Sequence, residues 1–379
     1  MSGRLWTTRL IFALSGIGIS AWALLVPDGK IRFNLADDAL GHILFLAGIG
    51  GVSAALLAGY LVSRWGSRTC TIVMLLLMCL LLPAMAAVSA VSAFTILLFL
   101  DSAVFGVLDV AINAQGTVVE AKSNRLLMSG FHASFSVGTL IMALLASLLL
   151  KIDASLELIC WLCAAGILLG LTQSFRLLPK RYDSSGAGRS FIIPNRHTIT
   201  LGLCCFSVFM SDGAITDWST VFLHFSRQMT ISNAVLGYAI FMLTTVFSRL
   251  TGDKLVAKVG QAVVVRLGVL VALLGYALVV FVPFGAVGVI GFGLVGLGSG
   301  NITPLLFSAA SRVPGVASHH AIPTVVGIGY IGFLAGPIMV GSVSGHFGLG
   351  VAFMINAALL GTVFFASGHV AKSASSVPV

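Results

Sequence analysis

Twelve long apolar stretches, separated by short polar segments, decide what this chain can fold into. A helix that crosses the hydrocarbon core of a bilayer needs about 20 mostly apolar residues, and each stretch comes close to that length. Of all residues, 58% are hydrophobic and 9% are charged, whereas about a quarter are charged in an ordinary soluble domain. A soluble fold could not cover itself with so little polar surface, so we expect a polytopic membrane protein. The stretches are 8–26, 39–62, 69–89, 92–114, 128–150, 155–175, 197–222, 232–250, 261–282, 285–308, 320–344 and 349–369.

The basic residues test this count and set the orientation. With the N-terminus in the cytoplasm, seventeen Lys and Arg fall on the cytoplasmic side and four on the other. Positive charge gathers on the cytoplasmic side of membrane proteins, so we predict a multi-pass protein of the bacterial inner membrane with both termini in the cytoplasm. The net charge of +9 then reflects topology and contact with membrane lipid, and no nucleic-acid binding is expected. The four residues on the other side are Lys30, Arg32, Lys151 and Arg227.

The longest polar segment, 174–196, lies midway along the chain. It contains a Ser/Gly patch of the kind found in flexible linkers. We expect it to be a cytoplasmic linker between two six-helix bundles, at 1–173 and 197–379.

Short matches between the halves indicate a duplication. His132-Ala133 matches His320-Ala321, and Asn113 matches Asn301 at the same spacing. Repeats of this kind are common in secondary transporters. The expected fold is an all-α membrane protein of twelve transmembrane helices in two pseudo-symmetric bundles, with a polar path between them.

A few acids lie inside the apolar stretches, where a charge costs about 2.5–3.5 kcal/mol on insertion scales. Asp109 and Asn113, in the fourth stretch, are four residues apart and share a helical face. Asp101 lies two turns earlier, about 80° around the axis. A carboxylate removed from water favours its protonated form, so it can exchange a proton and bias which side of a carrier is open. Asp109 and Asp101 are therefore proton-coupling candidates; for Asp109 the structural alternative is a hydrogen bond that ties two helices together.

Other candidates carry two interpretations each. His132, at the start of the fifth stretch, suits an orienting hydrogen bond or a proton relay. Asp212, past the middle of the seventh stretch, is expected to face the solute cavity. Trp22 in the first stretch could stack on a solute or simply pack against lipid or protein.

The sequence GSGNITP in the tenth stretch is a place where a broken helix could lie. Asn301 and Thr303, beside Pro304, would then present polar groups to a solute. Close helix packing explains the neighbouring glycines equally well.

The sequence gives no sign of an enzyme, a cofactor or a metal site. It lacks the HExxH, GxSxG and phosphate-binding GxxxxGK[ST] motifs. Cys160 and Cys163 form a CxxC within an apolar stretch, with no His or second CxxC nearby, so we expect packing and not metal or redox chemistry.

The twelve spans, the central basic loop and the segment GYLVSRWGSR (59–68) resemble the major facilitator superfamily. The family's cytoplasmic gate motif reads G-x-L-x-D-R-x-G-R-R, and five of its positions fit: Gly59, Leu61, Arg64, Gly66 and Arg68. Ser63 stands where the motif has Asp, so the ion pair that commonly locks this gate is in doubt. A second copy follows the eighth stretch and does contain an acid; it comprises Arg249, Gly252, Asp253, Leu255 and Gly260.

Within that superfamily, GVLDVAINAQGTVVE (106–120) is similar to the fourth span of the fucose permease branch. The resemblance implies that Asp109 is the proton-linked acid and Asn113 its polar neighbour. Segments 212–223 and 329–341 resemble a bacterial inner-membrane subgroup whose substrates are mostly unassigned. Fucose permease has a second essential acid before the proline that ends its first span, but SAWALLVP (20–27) has none here. Sugar binding of the fucose type is therefore not implied.

Three functions follow, in order of preference. The first is a secondary transporter that moves a small polar solute, sugar-like among the options, by proton-coupled alternating access; the resemblance also implies a monomer. The alternative is a proton-driven efflux antiporter for drugs or metabolites, although the glycine-proline motif common in the fifth span of such antiporters is missing. A non-transporting receptor or scaffold comes third, because membrane-embedded acids would serve no purpose there.

Overall fold

A computed structural model describes residues 2–123, 127–174, 195–313, 316 and 318–372, and these residues are almost entirely helical. The helices are α1 (Ser2–Arg32), α2 (Asp37–Trp65), α3 (Ser67–Ala87), α4 (Val91–Ser123), α5 (Met128–Lys151), α6 (Leu156–Ser174), α7 (Arg196–Val221), α8 (Ile231–Val259), α9 (Gln261–Phe281), α10 (Gly285–Ser299), α11 (Ile302–Ala310), α12 (Ser318–Phe347) and α13 (Leu349–Lys372). A π-helical turn, Phe222–Ser226, extends α7.

Twelve candidate membrane spans are present in the described residues, by length and composition, as the sequence predicted. The tenth span, Gly285–Ala310, consists of α10 and α11 together. Helices are the expected solution because hydrocarbon offers no partner for backbone groups, and a helix satisfies them internally. Many helices run past their apolar stretch at one or both ends.

Glycine lets neighbouring helices approach closely. A Cβ added to Gly16 of α1 would lie 2.0 Å from the Phe135 carbonyl oxygen of α5, and one added to Gly138 of α5 would lie 2.0 Å from the Ala13 carbonyl oxygen. Lipid tails give helices no hydrophobic reason to associate, so tight backbone contact across small residues supplies much of the attraction.

The chain divides into two compact units. One contains Met1–Leu35, Ile43–Ala187 and Ile231–Ala239; the other contains Ala36–His42, Gly188–Thr230 and Ile240–Val379. The beginnings of α2 and α8 are thus grouped apart from the rest of their helices. The predicted linker, 174–196, lies almost wholly outside the described residues, so its structure stays a prediction, as do the predicted bounds of the halves.

Specific contacts hold these two helix beginnings. In the first unit, the Ser147 hydroxyl of α5 donates to the Ser232 carbonyl oxygen of α8 at 2.7 Å. In the second unit, the Ser344 hydroxyl of α12 donates to the Asp37 carboxylate of α2. One turn further along α2, a Cβ added to Gly41 would lie 2.8 Å from the Pro337 carbonyl oxygen, so α2 and α12 touch through their backbones.

The internal repeat is present, but the predicted match of Asn113 with Asn301 is wrong in register. Gly66 and Gly260, which begin α3 and α9, have φ of 82° and 83°, a left-handed conformation that glycine adopts without strain. They lie 194 residues apart, as do the first residues of α2 and α8 and of α4 and α10. At that spacing Asn301 corresponds to Val107.

Two arginines cap the C-terminal ends of α3 and α9, which are equivalent helices of the repeat. Arg32 donates to carbonyl oxygens at the end of α3, including Met85 at 2.8 Å, and Arg227 donates to Val279 and Val280 at the end of α9, both at 2.8 Å. The last carbonyls of a helix lack partners within it and carry partial negative charge. Two of the four cations predicted outside the cytoplasm therefore cap helix ends.

All six cysteines are free and buried. The Cys79 thiol contacts the Ala164 carbonyl oxygen at 3.5 Å and the Cys163 thiol contacts that of Ile17 at 3.6 Å. Both contacts join two helices, in keeping with the packing role predicted for these residues.

Candidate functional site

The fourth span carries the acid–amide pair that the sequence singled out. The Asn113 amide donates to the Asp109 carboxylate at 3.0 Å and to the Asp109 backbone carbonyl at 2.9 Å. Both residues belong to α4, and Asp109 makes no other hydrogen bond within the described part of the chain. The alternative in which Asp109 ties two helices together therefore finds no support.

Asp109 points away from the lipid-facing side of α4. Ile96, Phe99 and Leu100 are exposed apolar side chains that mark that side. At 3.6 residues per turn, Asp109 lies about 130° around the axis from its middle. The residue is nevertheless only partly buried. The carboxylate is thus reachable at a place other than the lipid face.

Asp101 lies about 80° around the axis of α4 from Asp109, as helical geometry requires. Its surroundings differ from those of Asp109. Only 2% of the residue is exposed, and its Oδ1 has no hydrogen-bond partner in the described residues. It lies within electrostatic reach of Cys160 and Cys163 on α6. Asp101 is therefore an interior group of its unit.

The remaining candidates of the first unit have structural contacts. His132 begins α5, is exposed, and meets the Phe12 ring edge-on at 5.4 Å between ring centroids. Trp22 is 8% exposed. The burial of Trp22 favours packing within the protein and contradicts the predicted contact with lipid.

A second polar cluster lies in the other unit, around Asp212. Arg249 of α8 and Ser299 of α10 face its carboxylate, and Arg249 attracts it electrostatically. The Asp212 Oδ1 and the Ser299 hydroxyl are buried, yet neither makes a hydrogen bond of ordinary geometry within the described residues. Hydrogen-bond donors and acceptors therefore lie close together here without forming hydrogen bonds of ordinary geometry with one another.

A buried hydrogen bond beside Asp212 connects α7 to α9. The hydroxyls of Ser211 and Tyr276 are 2.6 Å apart, and Tyr276 lies within electrostatic reach of Asp212. The contact ties α7 to α9 at the level of the acid and fixes the helix that presents it.

The tenth span is interrupted, which is one of the two interpretations that the sequence left open. α10 ends at Ser299 and α11 begins at Ile302. The Gly300 carbonyl accepts a hydrogen bond from Arg249 Nε at 3.0 Å, so Arg249 occupies the break. The sequence analysis did not predict this contact, because Arg249 was grouped with the cytoplasmic gate motif.

Asn301 and Thr303 lie at the beginning of α11. Asn301 is buried against α8, where a Cβ on Gly252 would lie 2.0 Å from the amide nitrogen; Thr303 is half-buried. Asn301 also lines a cleft of about 280 Å³ whose other walls are mainly apolar, among them Phe247, Leu267 and Leu305. The break thus orients Asn301 toward α8, and the polar groups nearest Asp212 are Arg249 and Ser299.

The gate-motif residues lie at helix ends. A Cβ on Gly59 would meet no atom within 4 Å, and exposed Arg64 makes a long contact of 3.4 Å to the Tyr60 hydroxyl. Gly66 provides the left-handed turn that leads to Arg68 in the first turn of α3. The side chain of Asp253 lies outside the described part of the chain.

Comparisons with known proteins agree with this architecture. The model of the Major Facilitator Superfamily matches residues 9–329. An uncharacterized MFS-type transporter of Yersinia pestis is 36% identical over 358 residues, which are 94% of this chain and 93% of the relative.

Solved structures show the same fold at low sequence identity. The nucleoside transporter NupG, as a mutant, matches with a TM-score of 0.78 at 14% identity, over 97% of this chain and 99% of that one. The transporter FucP, in its outward conformation, matches with a TM-score of 0.66 at 19% identity, over 97% and 98% of the two chains. The chain is therefore a transporter-type membrane protein of the major facilitator superfamily, and not an enzyme.

Proposed function

We propose that this protein is a proton-coupled secondary transporter that moves a small polar solute across the bacterial inner membrane by alternating access, with both termini in the cytoplasm. Membership of the superfamily supports membrane transport. The observation that carries proton coupling is the position of Asp109, a partly accessible acid in the middle of a span, turned away from lipid and bonded only within its own helix.

Asp109 is suited to bind and release a proton because its protonation changes a charge inside the membrane. Moving a charge there is costly, so the protonated and ionised carriers favour different accessible states. Asn113 stabilises the side-chain position in both forms, since its amide can donate to a carboxylate or to a carboxylic acid. Asp212 and Arg249 supply polar groups for a solute in the other unit.

The test uses proteoliposomes that contain a pH-sensitive dye and receive candidate solutes one at a time. Wild-type protein is expected to change the internal pH with a transported solute, and Asp109→Asn to abolish that change. The asparagine keeps a hydrogen-bond acceptor for Asn113 but cannot ionise. Asp109→Glu, which restores an acid, is expected to retain part of the proton movement.

Asp153→Asn is the matched control, because it removes an exposed carboxylate in the turn after α5. It should behave as the wild type. Solute movement with unchanged proton flux in Asp109→Asn would contradict the proposal, and so would solute movement by the wild type without any proton flux.

A further inference from the structure

Arg249 and Asp212 are opposite charges that lie near each other without being joined. No nitrogen of Arg249 comes within 4.0 Å of an Asp212 oxygen. The bond from Arg249 Nε to the Gly300 carbonyl holds the guanidinium at the break between α10 and α11. Because this bond uses only Nε, both Nη groups remain as donors that make no hydrogen bond within the described residues.

The acceptor side is equally incomplete. The Asp212 Oδ1 is buried without a hydrogen bond of ordinary geometry, and the neighbouring Ser299 hydroxyl is in the same state. Buried polar groups usually have partners, and leaving one without costs about 1–3 kcal/mol. An unjoined pair of charges, beside a hydroxyl that engages the carboxylate only weakly, leaves hydrogen-bonding capacity that a ligand can use.

Arg249 can be reached from a side other than the lipid. Leu243, Phe247 and Leu250 are the exposed apolar residues of α8 around this level. Arg249 lies about 130° around the axis from the middle of that face, yet it is exposed. The Arg249 residue is therefore open on a side of α8 other than its apolar face.

We infer that the solute of this transporter carries a carboxylate, which Arg249 binds, together with a hydroxyl or ammonium group that donates to Asp212. The inference rests on the proposed function and names the chemistry of its solute. A guanidinium presents a planar pair of donors that matches the two oxygens of a carboxylate. Asp212, as an ionised acid, can only accept hydrogen bonds, so the second group must be a donor.

Hydroxy acids and amino acids both have this combination of groups, and both fit the gap between the two side chains in chemical terms. A plain polyol lacks the negative charge that pairs with an arginine guanidinium. A purely anionic solute without a donor would leave Asp212 unsatisfied and close to a like charge.

The test is chemical labelling of arginines in the purified wild-type protein with phenylglyoxal, quantified at each arginine by mass spectrometry. The protecting compounds are L-lactate, D-gluconate and L-serine. Each has a counterpart without the carboxylate: 1,2-propanediol, D-sorbitol and ethanolamine. Propionate has the carboxylate but no donor. Arg64, which is exposed and far from Arg249 in the sequence, is the internal control.

We expect at least one of the three acids to slow labelling of Arg249 more than its counterpart and more than propionate, while labelling of Arg64 stays constant. The inference is overturned if no acid protects better than its counterpart, or if Arg249 resists labelling while Arg64 reacts. In Asp212→Asn, loss of protection by L-serine would identify an ammonium group, and retained protection by a hydroxy acid would identify a hydroxyl.

The labelling experiment requires binding but neither movement nor proton flux. Protection of Arg249 without proton movement in proteoliposomes would therefore contradict the proposed function and leave the solute chemistry standing. Proton-coupled movement of a neutral solute, with no acid protecting Arg249, would contradict the inferred solute chemistry and leave the proposed function standing.

Discussion

Asp101 and Asp109 show how strongly surroundings decide what one residue type can do. Both are aspartates of α4, separated by two turns. Asp109 is bonded to Asn113 on its own helix and is partly accessible, whereas Asp101 is almost completely enclosed near α6. A proton needs a path to water as well as an acid to bind it. Only Asp109 has the accessibility that such a path requires.

We expect Asp101→Asn to leave solute-driven proton flux intact, in contrast to Asp109→Asn. Its thermal stability in detergent should be equal to that of the wild type or higher, by up to about 1–3 kcal/mol, because the neutral amide removes the cost of burying a carboxylate charge. Proton flux in proteoliposomes and thermal unfolding are the two measurements. A loss of flux equal to that of Asp109→Asn would restore Asp101 as a coupling residue.

At this scale the sequence predicts angular position well and environment poorly. The spacing of Asp109 and Asn113 predicted a shared face because helical geometry is local. The enclosure of Asp101 depends on Cys160 and Cys163, which come from a distant helix. The role of Arg249 depends on the Gly300 carbonyl, which is free because Pro304, four residues later, has no N–H to donate. A single sequence contains no signal for such long-range contacts.

Among the helices, the tenth span has the clearest relation between sequence and shape. Glycine and proline around Asn301 made an interruption one of two interpretations, and the interruption occurs between Ser299 and Ile302. The packing that supports the break is a backbone contact: a Cβ on Gly298 would lie 2.2 Å from the Gly268 carbonyl oxygen of α9. This contact fixes α10 immediately before the residues that face Asp212.

We expect Gly298→Ala to destabilise the protein by about 1–3 kcal/mol, because the methyl group forces α9 and α10 apart. Gly166→Ala in α6 is the control, since its Cβ would meet no atom within 4 Å. That change should be neutral or stabilising by up to about 1 kcal/mol, because alanine favours the helix. Thermal unfolding of both variants in detergent gives the comparison, and equal stability would show that α9 and α10 tolerate separation.

The spacing of the internal repeat is marked better by its turn glycines than by matches between other residues. Short matches such as Asn113 with Asn301 compare the identities of very few residues, which can coincide by chance. The left-handed glycines at 66 and 260 are constrained by backbone geometry, since other residues pay a steric cost there. Gly66 and Gly260, which belong to the two copies of the gate motif, already have this spacing in the sequence.

For the whole molecule, composition and charge were sufficient to predict twelve spans, because the bilayer restricts the possible structures so severely, and the resemblance of the segment 59–68 indicated the superfamily. They could not predict that the beginnings of α2 and α8 pack apart from the rest of their helices. That grouping depends on contacts such as Ser344 with Asp37 and Ser147 with Ser232, which join residues far apart in the sequence.

The predicted topology is testable with reporter fusions to the chain. Alkaline phosphatase, which is active only outside the cytoplasm, should be active when fused after Asp153 or Arg227 and inactive when fused after Lys372. A fluorescent protein at the last position should give the opposite result. Activity of phosphatase after Lys372 would place the C-terminus outside and contradict the orientation derived from the basic residues.

The enclosure of every native thiol makes the unmodified protein a ready host for spectroscopic probes. A maleimide reagent needs an accessible thiolate, and none of the six side chains offers one in the folded protein. One cysteine placed at an exposed turn, such as Ile152→Cys, would therefore accept a spin label or a fluorophore at that position alone. Pairs of such labels would report distances during turnover without first replacing the native cysteines.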